Sequence, residues 1–248
     1  MWAETAKKLG AAAFWLLIWQ ALALAVHNSI ALAGPWETVL ALFSLLPTGD
    51  FWLAVGGSAL RIIGGFLLGS ALGVLLAALA YRFRPLRTLL APLMGALKAV
   101  PVASFVILAL ISLGSSMLAL LVTFTVSLPI LYLATLEGLG AADGKLLELA
   151  AMFRMGLGSR IRGIYLPALV PGLRSALALA SGMAWKSGIA AEVIGQTAGT
   201  LGNELYRAKI YLETDKVLAV TLTAVALAWL TGKLVLLIFD LWGGGDRD

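Results

Sequence analysis

Cysteine is absent from the 248 residues, and histidine occurs once, as His27. The first absence excludes disulfides, thiolate metal sites and a cysteine nucleophile, and leaves the redox compartment unread. The second excludes a pair of histidine metal ligands and a histidine-based relay within one chain. His27 stands near the end of the first apolar run and reads as an interfacial polar residue. Charge is scarce too: Asp, Glu, Lys and Arg make up 12% of the chain, against about 25% in soluble domains. A phosphate-binding loop is also missing. The nearest passage, GLGAADGKL from Gly138 to Leu146, lacks both the required spacing and the final hydroxyl residue. Neither ATP hydrolysis nor a metal or cofactor is expected in this chain.

What fills the sequence instead is hydrocarbon, with 61% hydrophobic residues. A helix of roughly 20 apolar residues spans the bilayer interior. No formal charge occurs between Lys8 and Glu37, between Arg61 and Arg82, or between Lys98 and Glu137. The runs predict an all-α membrane protein, a single transmembrane domain over 1–248 with six spans. These fall at about 10–32, 52–81, 86–112, 117–136, 169–191 and 217–240. The first run follows Lys7 and Lys8 as a signal peptide would, but it is too long for a signal core of about 7–15 residues. It reads as a retained span. Pro92 and Pro101 predict kinks in the third span, and LGSS, Leu113 to Ser116, predicts a tight connection to the fourth.

Six spans put both termini on one side. That side collects Lys7, Lys8, Arg82, Arg84, Arg87, Lys145, Arg154, Arg160, Arg162, Arg174 and Arg247. The other has only Arg207, Lys209 and Lys216. A bias of 11 to 3 assigns the first side to the cytoplasm. The net charge of +5 is thereby read as topology, with membrane lipid and not nucleic acid as the partner. On the outer face, PWETVLALFSLLPTGDFW, Pro35 to Trp52, predicts a short interfacial helix opened by proline and flanked by Trp. In span two, Gly65, Gly69 and Gly73 recur every fourth residue. They form a stripe for close helix packing, unless they merely reflect the frequency of glycine in membrane helices.

Ionisable residues inside spans are costly and therefore worth a functional reading. Arg61, Lys98, Lys186, Glu192, Lys233 and Asp240 qualify. Lys233 and Asp240, seven apart, share a face and read as a structural pair. Arg61 reads as an anchor of span two to its neighbours. Lys98, preceding Pro101, and Lys186, preceding Glu192, are candidates for a positive pathway lining that would suit an anion. The alternatives are that Lys186 pairs with Glu192, or that each lysine snorkels to an interface.

The most charged interruption is ELAAMFRMGLGSRIRGIYLP, Glu148 to Pro167. From Asp143 to Phe153, Leu146, Leu149, Ala150 and Phe153 recur at helical spacing, with Lys145, Glu148 and Arg154 available to water or a partner. Gly156 and Gly158 are expected to end this helix, and Ser159 to cap a second one over Arg160 to Leu166, ahead of Pro167. Residues 143–166 thus form a projecting cytoplasmic hook, or else an amphipathic loop lying on the headgroups.

The segment resembles the signature of bacterial ABC-importer permeases: Glu-Ala-Ala, three residues, Gly, nine residues, Ile, one residue, Leu-Pro. Glu148, Ala150, Ile164, Leu166 and Pro167 stand at matching positions, with Leu149 at the second place and Arg154 at the glycine place, Gly156 following two residues on. ALRIIGGFLLGSALGVLLAAL (Ala59 to Leu79), PLMGALKAVP (Pro92 to Pro101) and GMAWKSGIAAEVIG (Gly182 to Gly195) resemble the nitrate/sulfonate/taurine branch. The resemblance covers roughly residues 35–240. It implies the type I permease fold in a bacterial or archaeal cytoplasmic membrane, paired with a second permease copy. It implies two cytoplasmic ATPase subunits, which bind ATP and Mg, and an external solute-binding protein. The implied ATPase-coupling residues are Glu148, Ala150, Met152, Phe153, Arg154, Gly156, Ile164, Leu166 and Pro167. A secondary transporter or channel driven by an ion gradient is the rival reading, although intramembrane acids to bind a coupling ion are few. An intramembrane enzyme lacks a nucleophile and acid–base constellation.

Overall fold

In hydrocarbon every backbone N–H and C=O must be satisfied within the chain, which leaves helices as the simplest solution for a span. The computed structural model describes residues 2–243, and every regular element in them is helical. In order these are α1 (Trp2–Val26), α2 (Pro35–Leu45), α3 (Gly49–Arg82), α4 (Arg84–Ala99), α5 (Val102–Leu113), α6 (Leu118–Gly140) and α7 (Gly144–Met152). There follow α8 (Leu157–Arg160), a π-helical turn (Ile161–Tyr165), α9 (Leu166–Gly195), α10 (Leu201–Ile210) and α11 (Thr214–Gly243). Arg247 and the Lys8 side chain, both used in the topology count, lie outside the described residues.

Five segments are long and apolar enough to cross a bilayer: Leu9–Val26, Gly49–Arg82, Leu118–Gly140, Leu157–Gly195 and Thr214–Leu241. The expected third span is not one straight helix. α4 and α5 meet at an angle of 100° and are long and apolar enough to cross only together; counted as one broken span, the pair brings the crossings from five to six. The break has a local cause. Proline disfavours the helical region for the residue before it, and Val100 is extended at ψ 125°. Pro92, expected to act similarly, sits inside α4 without ending it.

The first span also stops earlier than position 32. His27 takes a left-handed conformation with φ +51°, and the Asn28 side chain accepts the Ile30 N–H at 3.0 Å, so Val26 is the last helical residue. α2 forms where the proline start and interfacial pattern predict it but ends at Leu45, seven residues before Trp52. Its Thr38 and Ala41 are buried in the bundle. α3, at 34 residues, is about 51 Å long and outruns the hydrocarbon thickness.

The core is a stack of α3, α6 and α9, with Ile62, Phe66, Leu131, Ala180 and Trp185 buried at its centre. The glycine stripe lies where α3 meets α6. A Cβ at Gly69 would stand 2.5 Å from the Phe124 carbonyl oxygen, and one at Gly73 2.5 Å from that of Leu128. α3 and α6 are therefore in backbone contact. α11 closes the other side of α9, where Trp185 Nε1 donates to Thr231 Oγ1 at 3.1 Å.

Candidate functional site

The hook begins at Asp143, whose carboxylate accepts the Lys145 N–H at 2.8 Å and caps α7. Its end differs from expectation. Gly156 and Gly158 do not terminate the helix; the Phe153–Arg154 turn does. The Met155 N–H donates to Ala150 O at 2.9 Å and the Arg154 N–H to Ala151 O at 3.1 Å. That pair of bonds is the Schellman motif, which places one residue in the left-handed region. The residue is Arg154, at φ +50°. The position that carries glycine in the signature thus keeps a glycine conformation under an arginine.

The second hook helix is not a separate, serine-capped piece. Gly156 occupies its N-cap without a side-chain bond, and Ser159 lies inside it. The helix passes through Pro167 into the membrane, so that residues 157–195 form one continuous segment. Proline has no N–H and crowds the preceding turn. The π turn accommodates this by bonding the Leu166 N–H to Ile161 O. Tyr165 meets Tyr81 of α3 edge-on at 5.9 Å, tying the turn to the bundle.

Inside the hook, Ala150 and Ile164 are buried, and Arg160 Nη2 donates to Ala150 O at 3.3 Å, joining α8 to α7. Outside it, Leu146, Leu149 and Phe153 of the expected apolar face are open, while Ala150 is turned inward, and Met152 and Leu157 extend the open surface. Met152, Phe153 and Leu157 are 78%, 78% and 79% exposed. Glu148 and Gly156 are exposed too, as are Leu166 and Pro167 where the hook enters α9. An apolar patch of this kind beside charged residues is characteristic of an interaction surface.

Among the intramembrane charges, Lys98 and Lys186 are exposed on the surface of the chain and belong to no ion pair among the described residues. Pro101 is the elbow beside Lys98. Glu192 is different. It is fully buried and bonded to Ser58 of α3 and the Gly202 N–H of α10, so it neither pairs with Lys186 nor faces outward. Lys233 and Asp240 do not pair either. Asp240 takes Arg174 of α9 through two bonds of 2.9 and 3.1 Å, and Lys233 Nζ sits 3.8 Å over the Trp229 ring. Arg61 anchors α3 as expected, donating to Ser116 O at 3.0 Å.

Sequence reasoning missed α10, which lies in what reads as a polar connection. Its signal was Thr200, whose hydroxyl accepts the Asn203 N–H at 3.2 Å, in the Ser/Thr N-cap pattern with acidic Glu204 in the first turn.

Residues 69–242 match the model of the family described as binding-protein-dependent transport system inner membrane component. Over 226 residues the chain is 28% identical to a putative aliphatic sulfonates transport permease protein of Bacillus subtilis, covering 90% of this chain and 81% of that one. It is 27% identical over 226 residues to a putative ABC transporter permease protein of Methanocaldococcus jannaschii, covering 87% and 83%. A bicarbonate transport system permease protein of Synechococcus elongatus is 27% identical over 150 residues, covering 60% of this chain and 54% of that one.

Proposed function

We propose that this chain, which belongs to the binding-protein-dependent inner-membrane permeases of ABC importers, forms a translocation pathway for a small anionic solute and is driven through its hook. The observation that carries the reading is the open apolar patch of Met152, Phe153 and Leu157 on the charged loop between α6 and α9. Nothing among the described residues covers it, and it is continuous with a membrane helix that can transmit a push. Two cytoplasmic ATPase subunits dock there and bind the ATP and Mg. A second copy of the permease completes the pathway, and an external solute-binding protein delivers the substrate. Both termini lie in the cytoplasm, as the lysine and arginine bias requires.

The continuity of 157–195 gives the coupling its physical form. A displacement of α7 and α8 is carried as a rigid-body movement into α9, which packs against α6 and α11. Closure of the ATPases then biases the bundle between inward- and outward-facing arrangements. Buried Ala150 and Ile164 keep the hook stiff; exposed Glu148, Phe153 and Arg154 present its surface.

The solute class rests on two supports. The names of the similar permeases refer to aliphatic sulfonates and bicarbonate, both anions. Lys98 and Lys186 supply unpaired positive charge on the chain surface, where a second copy would enclose it. Uptake in proteoliposomes containing the ATPase and binding protein tests this directly. A short alkanesulfonate or bicarbonate is expected to be taken up and a cationic amine excluded, and Lys98→Ala and Lys186→Ala are each expected to slow anion uptake several-fold. Unchanged kinetics in both variants would remove the two lysines from the pathway.

A further inference from the structure

Glu192 lies at the end of α9 opposite the hook, fully buried, and its surroundings satisfy only one of its oxygens. Oε2 accepts from Ser58 Oγ at 2.6 Å and from the Gly202 N–H at 3.1 Å; Oε1 has no hydrogen-bond partner among the described residues. Ser58 Oγ in turn accepts the Leu201 N–H at 2.9 Å. Ser58, Glu192 and Thr200 therefore cap the first three N–H groups of α10 between them. The cap accounts for Oε2. It gives Oε1 nothing to do, and a bare buried carboxylate oxygen is costly.

Arg61 is three residues from Ser58 on α3, so the two side chains share a face. The Arg61 guanidinium is engaged elsewhere, with Nε donating to Ser116 O at 3.0 Å and Nη1 to Gly57 O at 2.9 Å. Ser116 belongs to the turn between α5 and α6. The other tie on that turn is the Thr197 hydroxyl, which donates to Ser115 O at 2.9 Å. Arg61 thus holds the outer end of α5 while standing one helical turn along α3 from Ser58, whose hydroxyl is bonded to the carboxyl group with the free oxygen. A guanidinium presents five donors in a fixed fork and suits either seat.

We propose that Arg61 and Glu192 form a two-position latch at the outer end of the bundle. In the arrangement described here, Arg61 grips the α5–α6 turn through Ser116. In the other arrangement it turns to Oε1 of Glu192, and the turn is released together with α5, the helix that begins at the Pro101 elbow. Glu192 keeps its Oε2 bonds to Ser58 and Gly202 in both, so α10 stays seated. Only the nucleotide dependence of the latch rests on the importer reading.

The absence of cysteine makes the test clean. Ser116 is exposed and contributes only its backbone carbonyl to Arg61, so Ser116→Cys can be labelled with a membrane-impermeant maleimide. In the isolated permease, Arg61→Ala is expected to raise the labelling rate several-fold, whereas Glu192→Gln, which keeps an acceptor oxygen for Ser58 and Gly202, leaves it unchanged. With the ATPase bound, nucleotide is expected to raise labelling in the otherwise unaltered chain and to have no effect in Glu192→Gln. An unchanged rate in Arg61→Ala, or a full nucleotide response in Glu192→Gln, would overturn the latch. Failure of the ATPase to co-purify would instead count against the importer reading, and the Arg61→Ala comparison would still decide whether the latch exists.

Discussion

Arg154 holds a conformation that its side chain disfavours. At φ +50° its Cβ crowds the neighbouring carbonyl, a strain of roughly 1–2 kcal/mol in a residue other than glycine. Two Schellman hydrogen bonds hold it there. Arg154→Gly relieves the strain and gives back part of the gain through the extra backbone freedom of the unfolded chain. The expected result is a hook stabilised by up to about 1 kcal/mol, read as slower limited proteolysis between α7 and α8. Faster cleavage would show that the arginine side chain, and not the backbone turn, holds the hook. The spacing of the signature located this residue in the sequence, but spacing carries no dihedral angle, so the preserved turn became visible only in three dimensions. Glu192 shows the opposite limit. Its place in a span marked it as unusual, yet its partners Ser58 and Gly202 are 134 and 10 residues away, and no local pattern points to them.

At the scale of elements, α3 and α6 meet backbone to backbone along the glycine stripe. The stripe Gly65, Gly69, Gly73 has the four-residue period that keeps one helix face bare, and this face was legible in sequence for that reason. Which helix would fill it was not, because a stripe names no partner. Gly69→Ala places a methyl group 2.5 Å from the Phe124 carbonyl oxygen and 3.0 Å from its Cα. Backbone on both sides cannot give way as a flexible side chain would. A destabilisation of about 1–3 kcal/mol is expected, measurable as a lower midpoint in thermal unfolding of the detergent-solubilised chain. Gly95→Ala, where a Cβ would meet nothing within 4 Å, is the matched control and should leave the midpoint in place. The elbow at Val100–Pro101 is a second element-scale feature. Two prolines in one apolar run predicted bending, but the run itself does not say which proline ends a helix or by what angle: Pro92 sits inside α4, and the break falls at Pro101. The hook shows the same limit. A glycine pair and a serine suggested two separate helices, whereas packing of Tyr165 on Tyr81 and a π turn carry the second one past Pro167 unbroken.

At the scale of the whole molecule, hydropathy made the fold class readable, since a span needs roughly 20 apolar residues; of the six spans expected, five are single helical segments and one is a bent pair. The sequence also marked the hook as the site where a greasy chain becomes charged. What hydropathy does not encode is which apolar side chains of the hook stay exposed once the chain has folded. Phe153 and Leu157 are left open while Ala150 and Ile164 are buried, so substituting the first pair changes the surface and spares the interior of the hook. The most direct measurement is therefore ATP-driven anion uptake, together with ATPase co-purification, for Phe153→Asp, Leu157→Asp and the double variant. The permease should remain folded, but retain less ATPase and lose coupled uptake by at least an order of magnitude in the double variant. Full ATPase retention with undiminished coupled uptake in that variant would contradict the assignment of the hook as the drive of this transporter.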